Sequence, residues 1–390
     1  MWCKRVNKIP PFDLSEQIKH IGEEINAAAI EVLTSGRYIG GATIETFETA
    51  FANYIGTSEC IACNSGTDAL YLALRALDIG AGDEVITTPF TFVATAEVIS
   101  AVGAKPVFVD IEPDSFNLNL DQVEASITDR TKAIIPVHLF GRPVNMTRLM
   151  AIAQAHQLTV IEDCAQSTGA EWAGQKVGSI GQIGCFSFYP TKNLGACGDG
   201  GAITTSDPAI TERLRRLRDH GRRGSYYYEE LGVNSRLDAV QAAILTVKLR
   251  YLETWNTNRA AIAQRYDQLL NAVAGVTLPS SDPTGRSVWN QYTVRIADAT
   301  PTAETSTRDA VRAKLLEHNI ISMVYYPLAL HLQPAYANLG YRSGQLPEAE
   351  KASREVLSLP MFPELDPDDQ EQVAIALKQI LSPAMAVVSP

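Results

Sequence analysis

The residue best placed to do chemistry is Lys192. In the stretch FSFYPTKNLGACGDGGAITT (186–205), an apolar run from Ile183 to Phe188 stops at Pro190. Just beyond it the lysine is followed by Gly195, Gly198, Gly200 and Gly201. Glycines at that density let backbone approach a ligand closely. A desolvated lysine has a depressed pKa, and its neutral amine attacks carbonyl carbon. Within its own loop Lys192 reads equally well as an exposed surface lysine, so other segments must decide.

The run Val160-Ile161-Glu162-Asp163 ends in two adjacent carboxylates. Burying both is costly unless they are paired, and strand alternation sends them to opposite faces. One can then face a bound cation such as a pyridinium nitrogen, while the other meets solvent or a basic side chain. Asn64-Ser65-Gly66-Thr67 opens directly into DALYLALRAL. Free N–H groups at a helix start form a phosphate cradle, although Ser-Gly-Thr is also a good plain N-cap. Phe90 and Phe92 suit either a planar ring or a core. His138, closing another apolar run, is either a ligand contact or a satisfied buried histidine. The basic stretch ERLRRLRDHGRR (212–223), followed by Tyr226, Tyr227 and Tyr228, is either a solvated helix face or a clamp for a diphosphate and a base.

These groups need a scaffold, and the hydrophobic pattern supplies one. Short apolar runs at Cys60–Cys63, Glu84–Thr88, Pro106–Asp110, Ala133–His138, Thr159–Asp163, Ile183–Phe188 and Gly201–Thr205 read as strands. Helical segments alternate with them at 67–77, 92–102, 119–127 and 145–157, with Asn119 and Gln122 spaced for a capping box. The pattern predicts an α/β fold with a mainly parallel seven-stranded sheet between helices, ligands gathering at the strands' carboxyl ends. Entry helices over 15–34, with Ser15 as N-cap, and over TIETFETAFANYI precede the sheet. A long helix is expected over GVNSRLDAVQAAILTVKLRYL. Beyond Trp255 the character changes to a smaller α+β unit with a strand at Tyr292–Ile296 and helices near 304–318, 347–358 and 367–381. The expected division is a large ligand-binding domain over 1–254 and a small C-terminal domain over 255–390, with the tail AMAVVSP loosely ordered.

The 390 residues are 46% hydrophobic and 20% charged, with a net charge of −11. That balance argues against nucleic acid and anionic membrane surfaces as partners, so an anionic ligand must be drawn in by local positive groups. No apolar run approaches a membrane span, and the opening MWCKRVNKIPPFDLSEQ has no apolar signal region, which makes the cytoplasm the expected location. The six cysteines are scattered, and the Cys60/Cys63 pair has no companion set, so reduced structural cysteines and no metal are expected.

A phosphate cradle, a ring stacker, a strand-end Asp and a nucleophilic lysine together suit pyridoxal phosphate. The chain also resembles the DegT-type sugar-nucleotide aminotransferases among the fold-type I pyridoxal-phosphate enzymes. The likeness runs through NSGTDAL (64–70), TPFTFVATAEVI (88–99), PVHLFG (136–141), EDCAQSTGA (162–170), FSFYPTKNLGACGDGGAITT, NSRLDAVQAAIL (234–245), YYPLALHLQPAY (325–336) and LSLPMFPEL (357–365). The resemblance implies Lys192 as the cofactor's Schiff-base lysine and Asp163 as the partner of the pyridine nitrogen. It implies Gln166 near the ring's O3′, Phe92 on the ring, and Ser65, Gly66, Thr67 and Ser187 around the phosphate. Asn234 would reach the neighbouring subunit's cofactor, which implies a homodimer with shared active sites. His331, Arg222 and Tyr326 are implied on the substrate side. The implied reaction carries an amino group from L-glutamate to a keto-sugar nucleotide, with a lean toward 3-keto over 4-keto sugars. Lysine at 192 sets the chain apart from relatives that carry histidine there and act as dehydratases.

Two other classes compete. The glycines of GACGDGG could belong to a nicotinamide-dependent oxidoreductase, but an apolar run rather than a helix follows them, contrary to that fingerprint. A catalytically silent regulatory protein on the same fold is the other, and the retained Lys192 and Asp163 weigh against it.

Overall fold

The computed structural model describes residues 8–299 and 305–382. Cys3 and the tail AMAVVSP lie outside them. The strands of the first part are β1 (Glu59–Cys63), β2 (Glu84–Thr87), β3 (Lys105–Phe108), β4 (Thr131–Ile135), β5 (Thr159–Asp163), the short β6 (Glu171–Trp172) and β7 (Gln175–Lys176), β8 (Ile183–Ser187) and β9 (Gly201–Thr205). Seven of them form one sheet in the order β1-β9-β8-β5-β4-β2-β3. Only β9 runs antiparallel to its neighbours, β1 and β8. The remaining pairs are parallel.

Helices α1 (Ser15–Ser35), α2 (Ala42–Ile55), α3 (Gly66–Ala76), α4 (Ala94–Ala101), α5 (Leu120–Val123), α6 (Met146–Ala155), α7 (Pro208–Leu217) and α8 (Ala239–Leu249) accompany these strands. Alternation along each strand divides the core. Ile61, Cys63, Ile161, Ile183, Cys185 and Ile203 pack with residues of α3, α4 and α7. Cys60, Ala62, Phe186 and Ala202 pack on the opposite face with α2 and α8. Both faces are covered, which is why the runs are continuously apolar. Phe186 meets Phe51 edge-on at 5.0 Å, and Phe188 meets it at 5.3 Å. Both are wholly buried, each worth about 1.5–3 kcal/mol. The strand that delivers the Lys192 loop is therefore firmly anchored just before it.

After α8 the chain forms α9 (Leu252–Leu270), β10 (Val276–Thr277), β11 (Gly285–Arg286), β12 (Tyr292–Ile296), α10 (Thr307–Glu317), α11 (Pro347–Glu355), β13 (Val356–Leu359) and α12 (Pro367–Leu381). Strands β10, β12 and β13 make a second sheet. Its own core holds Tyr266, Tyr292, Val294, Leu315, Leu357, Val373 and Leu377, joined by Ile9 from the start of the chain. Helix α9 runs unbroken through residues 254 and 255, where the two expected domains meet.

Three local expectations are corrected. The helix expected over 232–252 begins only at Ala239, because Val233 N–H donates to Leu217 and Ser235 N–H to Arg218, tying residues 232–238 to the turn after α7. Ser15 does not cap α1 but is its first residue; the cap position falls on Leu14 without a side-chain cap bond, and Ser15 N and Oγ donate to Asp13 at 2.8 and 2.9 Å. Asn119 caps α5 through Asp121 N–H at 3.0 Å, and no return bond from the Gln122 side chain accompanies it.

Candidate functional site

A cavity of about 440 Å³ opens at the carboxyl ends of the sheet strands. Its wall includes Ser65, Gly66, Thr67, Phe92, Asp163, Gln166, Ser187, Lys192 and Tyr326. Nine of the twelve residues implied by the family resemblance thus meet in one place, drawn from segments more than 250 residues apart.

The cradle follows from close packing. Ser65 caps α3, its Oγ accepting from Asp68 N–H at 3.1 Å. A Cβ on Gly66 would lie 2.7 Å from Cβ of Ser187, and one on Gly201 would lie 2.4 Å from the Ser65 carbonyl carbon. Only glycine lets β8, β9 and the first turn of α3 approach this closely. The result places the α3 N-terminus and the Ser187 hydroxyl on one wall, the arrangement that holds a phosphate.

Asp163, 4% exposed, ends β5. Thr95 Oγ1 donates to its Oδ2 at 2.8 Å and Ala165 N–H to its Oδ1 at 3.1 Å. Burial raises its pKa, while these two hydrogen bonds and the charge of Lys192 oppose the rise. A buried carboxylate held in place yet lacking a full counter-charge is a receptor for a cation. Lys192 sits across the cavity with no hydrogen-bond partner for Nζ among the described residues. Desolvation lowers its pKa to about 8, with Asp163 pulling the other way. With a pKa near 8 the amine is mostly protonated at pH 7, with about a tenth of it neutral, and that neutral share, far above an ordinary lysine's, is what a nucleophile and proton carrier requires.

Gln166 is fixed at both ends: its Oε1 accepts from Phe140 N–H at 2.7 Å, and its Nε2 donates to Tyr326 Oη at 3.2 Å. Phe92 stands 58% exposed at the cavity, free to cover a planar ring. Phe90 is wholly buried and packs on Tyr326 and Phe116. His138 is a satisfied core histidine: its Nδ1 accepts from Val144 N–H at 3.0 Å, so the ring proton rests on Nε2, 3.0 Å from Glu162 Oε2.

Three candidates lie outside the cavity. Asn234 is exposed and bridges Asp219. Arg222 pairs with Asp219 at 2.5 Å in a separate concavity of about 230 Å³ lined also by Arg215, Arg218 and Arg236. His331 is buried, 3.1 Å from Glu350 Oε1, with its Nδ1 unpartnered. The structure adds lining residues that sequence reading passed over: Thr95, Asp199, Gln291 and Tyr325. Thr95 was findable, one helical turn beyond Thr91 in a segment following a strand end. Gln291 had no local signal, since it enters from the segment leading into the second sheet's β12. Among the described residues lining the cavity, Lys192 is the only cation.

Cys60, Cys63, Cys164 and Cys185 are buried and free, and Cys197 is exposed and free. No helix among the described residues is long and apolar enough to cross a membrane.

The sequence profile of the DegT/DnrJ/EryC1/StrS aminotransferase family matches residues 19–378. A pleiotropic regulatory protein of Geobacillus stearothermophilus is 49% identical, covering 94% of this chain and 96% of that protein. The dTDP-3-amino-3,4,6-trideoxy-α-D-glucose transaminase of Streptomyces venezuelae is 43% identical, covering 95% of this chain and 96% of that one. The crystal structure of S. venezuelae DesV with a ketimine intermediate superposes with a TM-score of 0.91 at 42% identity, over 96% of this chain and 98% of that one.

Proposed function

The chain belongs to the DegT/DnrJ/EryC1/StrS aminotransferase family, and from that premise we propose that it transfers an amino group from L-glutamate to a 3-keto sugar carried on a nucleotide. It is a sugar-nucleotide aminotransferase dependent on pyridoxal phosphate. The observation that carries the reading is the pairing of Asp163 and Lys192 in one cavity beside the α3 cradle. The lean toward the 3-position is supported by the name of the Streptomyces relative, a transaminase of a 3-amino sugar.

When bound, pyridoxal phosphate supplies an aldehyde that takes up the amino group and a ring that delocalises the electrons left as Cα loses its proton. The chain's residues do the rest. Ser65, Gly66 and Thr67 offer N–H groups and a helix dipole to the phosphate, and Ser187 adds a hydroxyl. Asp163, oriented by Thr95 and Ala165, would offer its carboxylate to the ring nitrogen and favour that nitrogen's protonated form. Phe92 covers one face, and Gln166, braced by Phe140 and Tyr326, holds the edge. Lys192 attaches the cofactor at rest. Freed when the donor's amino group takes its place, its amine would be within reach to remove the proton from the donor's Cα and to give a proton to the carbon that had been the cofactor's aldehyde, acting as general base and then acid.

Glutamate brings two carboxylates and the acceptor a diphosphate, yet among the described residues Lys192 is the only cation lining this cavity. The missing positive charge supports a homodimer in which Asn234, and with it the arginine cluster around Arg222, serves the neighbouring subunit's site. Tyr326, which lines the cavity, belongs to the sugar side in this reading, and so does His331, although it pairs with Glu350 outside the cavity wall.

The regulatory name of the Geobacillus relative favours a second reading, a silent protein on the same fold. A half-reaction screen separates the two. L-Glutamate should bleach the visible band of the pyridoxal-phosphate-loaded protein, and a 3-keto nucleotide sugar should restore it where a 4-keto one does not. Restoration by the 4-keto compound alone reverses the regiochemistry, and a band indifferent to every amino donor makes the protein silent.

A further inference from the structure

Behind Lys192, three asparagines are buried where apolar side chains would fill the space at less desolvation cost. Asn193, Asn256 and Asn290 are 5%, 1% and 5% exposed. Asn193 Nδ2 donates to Asn256 Oδ1 at 2.7 Å and to the Val288 carbonyl at 2.8 Å. Asn290 Nδ2 donates to Asn193 Oδ1 at 2.8 Å and to the Thr191 carbonyl at 3.3 Å. Asn256 Nδ2 donates to the Thr168 carbonyl at 3.1 Å. Both chain neighbours of Lys192 are therefore clamped, Thr191 through its carbonyl and Asn193 through its side chain. The clamp draws on three separate elements: the loop itself, α9, and the segment leading into β12.

We propose that Asn193, Asn256 and Asn290 form a positioning network that fixes Lys192 over the cavity, with Asn290 tying the lysine loop to the segment that carries Gln291. The proposal rests on Lys192 being the residue that holds the cofactor and moves the proton. Three observations set the network apart from ordinary core packing. Every one of its hydrogen bonds to the loop lands on a residue flanking Lys192. Asn290 is kept although its Oδ1 is buried without a partner, a cost that an apolar residue would avoid. The backbone beneath Asn290 is itself held, since Arg259, 2% exposed, donates to the carbonyls of Trp289 and Asn290 at 3.2 and 3.4 Å. A side chain as long and free as lysine keeps a reactive geometry only when its backbone is fixed in this way.

Loss of the clamp should let the loop relax and water reach Nζ. The amine's pKa, depressed to about 8 by burial, should then rise toward its ordinary value. The test compares unsubstituted protein with Asn290→Ala. The pH dependence of the rate at which apo-protein takes up pyridoxal phosphate reads the neutral fraction of Lys192, and melting temperature is followed in parallel. The half-point should move up by about one pH unit. With loaded enzyme, kcat should fall about 10–100-fold while KM for L-glutamate changes little. Asn290→Ser, which keeps one donor, should fall between the two and serves if the alanine variant does not fold. A lowered melting temperature with an unmoved half-point and an unchanged kcat would make the network structural only and overturn the proposal. Borohydride reduction of the unsubstituted protein separates this failure from that of the functional reading. If no pyridoxal phosphate is fixed on Lys192 there, the functional reading falls and the proposal with it. Normal fixation beside an unmoved half-point in the variants removes the proposal alone.

Discussion

Glu162 and Asp163 are chain neighbours, both buried, at the end of one strand, and they live in opposite worlds. Glu162 points to the hidden side. It accepts from His138 Nε2 at 3.0 Å and from the N–H groups of Ile180 and Gly181 at 2.9 and 2.7 Å. Asp163 points to the cavity, with two hydrogen bonds and room in front of it. Two buried lysines repeat the contrast. Lys248 closes its amine onto the Gly195 carbonyl, whereas Lys192 leaves its amine facing the cavity. Residue type and burial therefore do not identify a working group here. The group that works is the one whose polar atoms the protein has oriented but left incompletely satisfied.

The comparison breaks most visibly at Glu162. Removing it as Glu162→Ala strands the His138 proton and the Ile180 and Gly181 N–H groups without an acceptor. The expected cost is about 3–5 kcal/mol of folding stability, read by urea unfolding. Activity per folded molecule should survive, because Glu162 does not line the cavity. Preserved stability beside lost turnover would place Glu162 in the chemistry and collapse the distinction between the two faces.

Asp163→Asn tests the other side. The amide keeps the shape and can still accept from Thr95, but it offers no charge to hold a ring nitrogen protonated. Turnover should fall by about 10²–10³-fold while pyridoxal phosphate still binds, its phosphate cradle being untouched. The apo-protein should lose little stability, since the substitution removes a desolvated carboxylate whose pKa burial raises. Near-normal turnover would show that Asp163 is a second Glu162, structural despite its position.

How far the sequence could be read follows the same line. All seven strands of the main sheet were visible because both faces are covered and the runs are continuously apolar. The phosphate turn, Asp163 and Lys192 were visible because each immediately follows such a run, where ligands collect in open α/β sheets. The opposite facing of Glu162 and Asp163 came from period-two alternation alone. Which of the two met the ligand came from the resemblance. Contacts assembled across the chain were not legible. Thr95 reaches Asp163 from 68 residues away, Gln291 enters from the segment leading into a strand of the other sheet, and the buried asparagines meet only after α9 and that segment have packed. The helix expected from residue 232 failed for a related reason. Its apolar spacing continues toward α8, but the hydrogen bonds that hold 232–238 extended come from the turn after α7, which periodicity within one segment cannot show.

Lys192 gives the smallest effect and the sharpest sign. Its pKa is about 8 in the folded chain against an ordinary 10.5, so burial disfavours the charged form. Between these values the unfolded chain binds more protons than the folded one, and stability should rise with pH across that window. Below about pH 8 both states are protonated, and the folded protein carries the full penalty of a desolvated charge. Lys192→Met, which keeps the apolar stem and removes the amine, should therefore stabilise the apo-protein at pH 7 by on the order of 2 kcal/mol. The gain should shrink toward pH 10, where the amine of the unsubstituted chain is neutral when folded. Lys248, whose pKa burial also lowers but whose amine donates to Gly195, supplies the contrast: Lys248→Met leaves that buried carbonyl without its donor, a cost that should offset the relief of desolvation so that no net stabilisation appears. A Lys192→Met variant that is less stable than its parent at pH 7, or whose advantage is independent of pH, would mean that the lysine is held by partners as Lys248 is, and the cavity would lose its claim to an amine kept ready for a ligand.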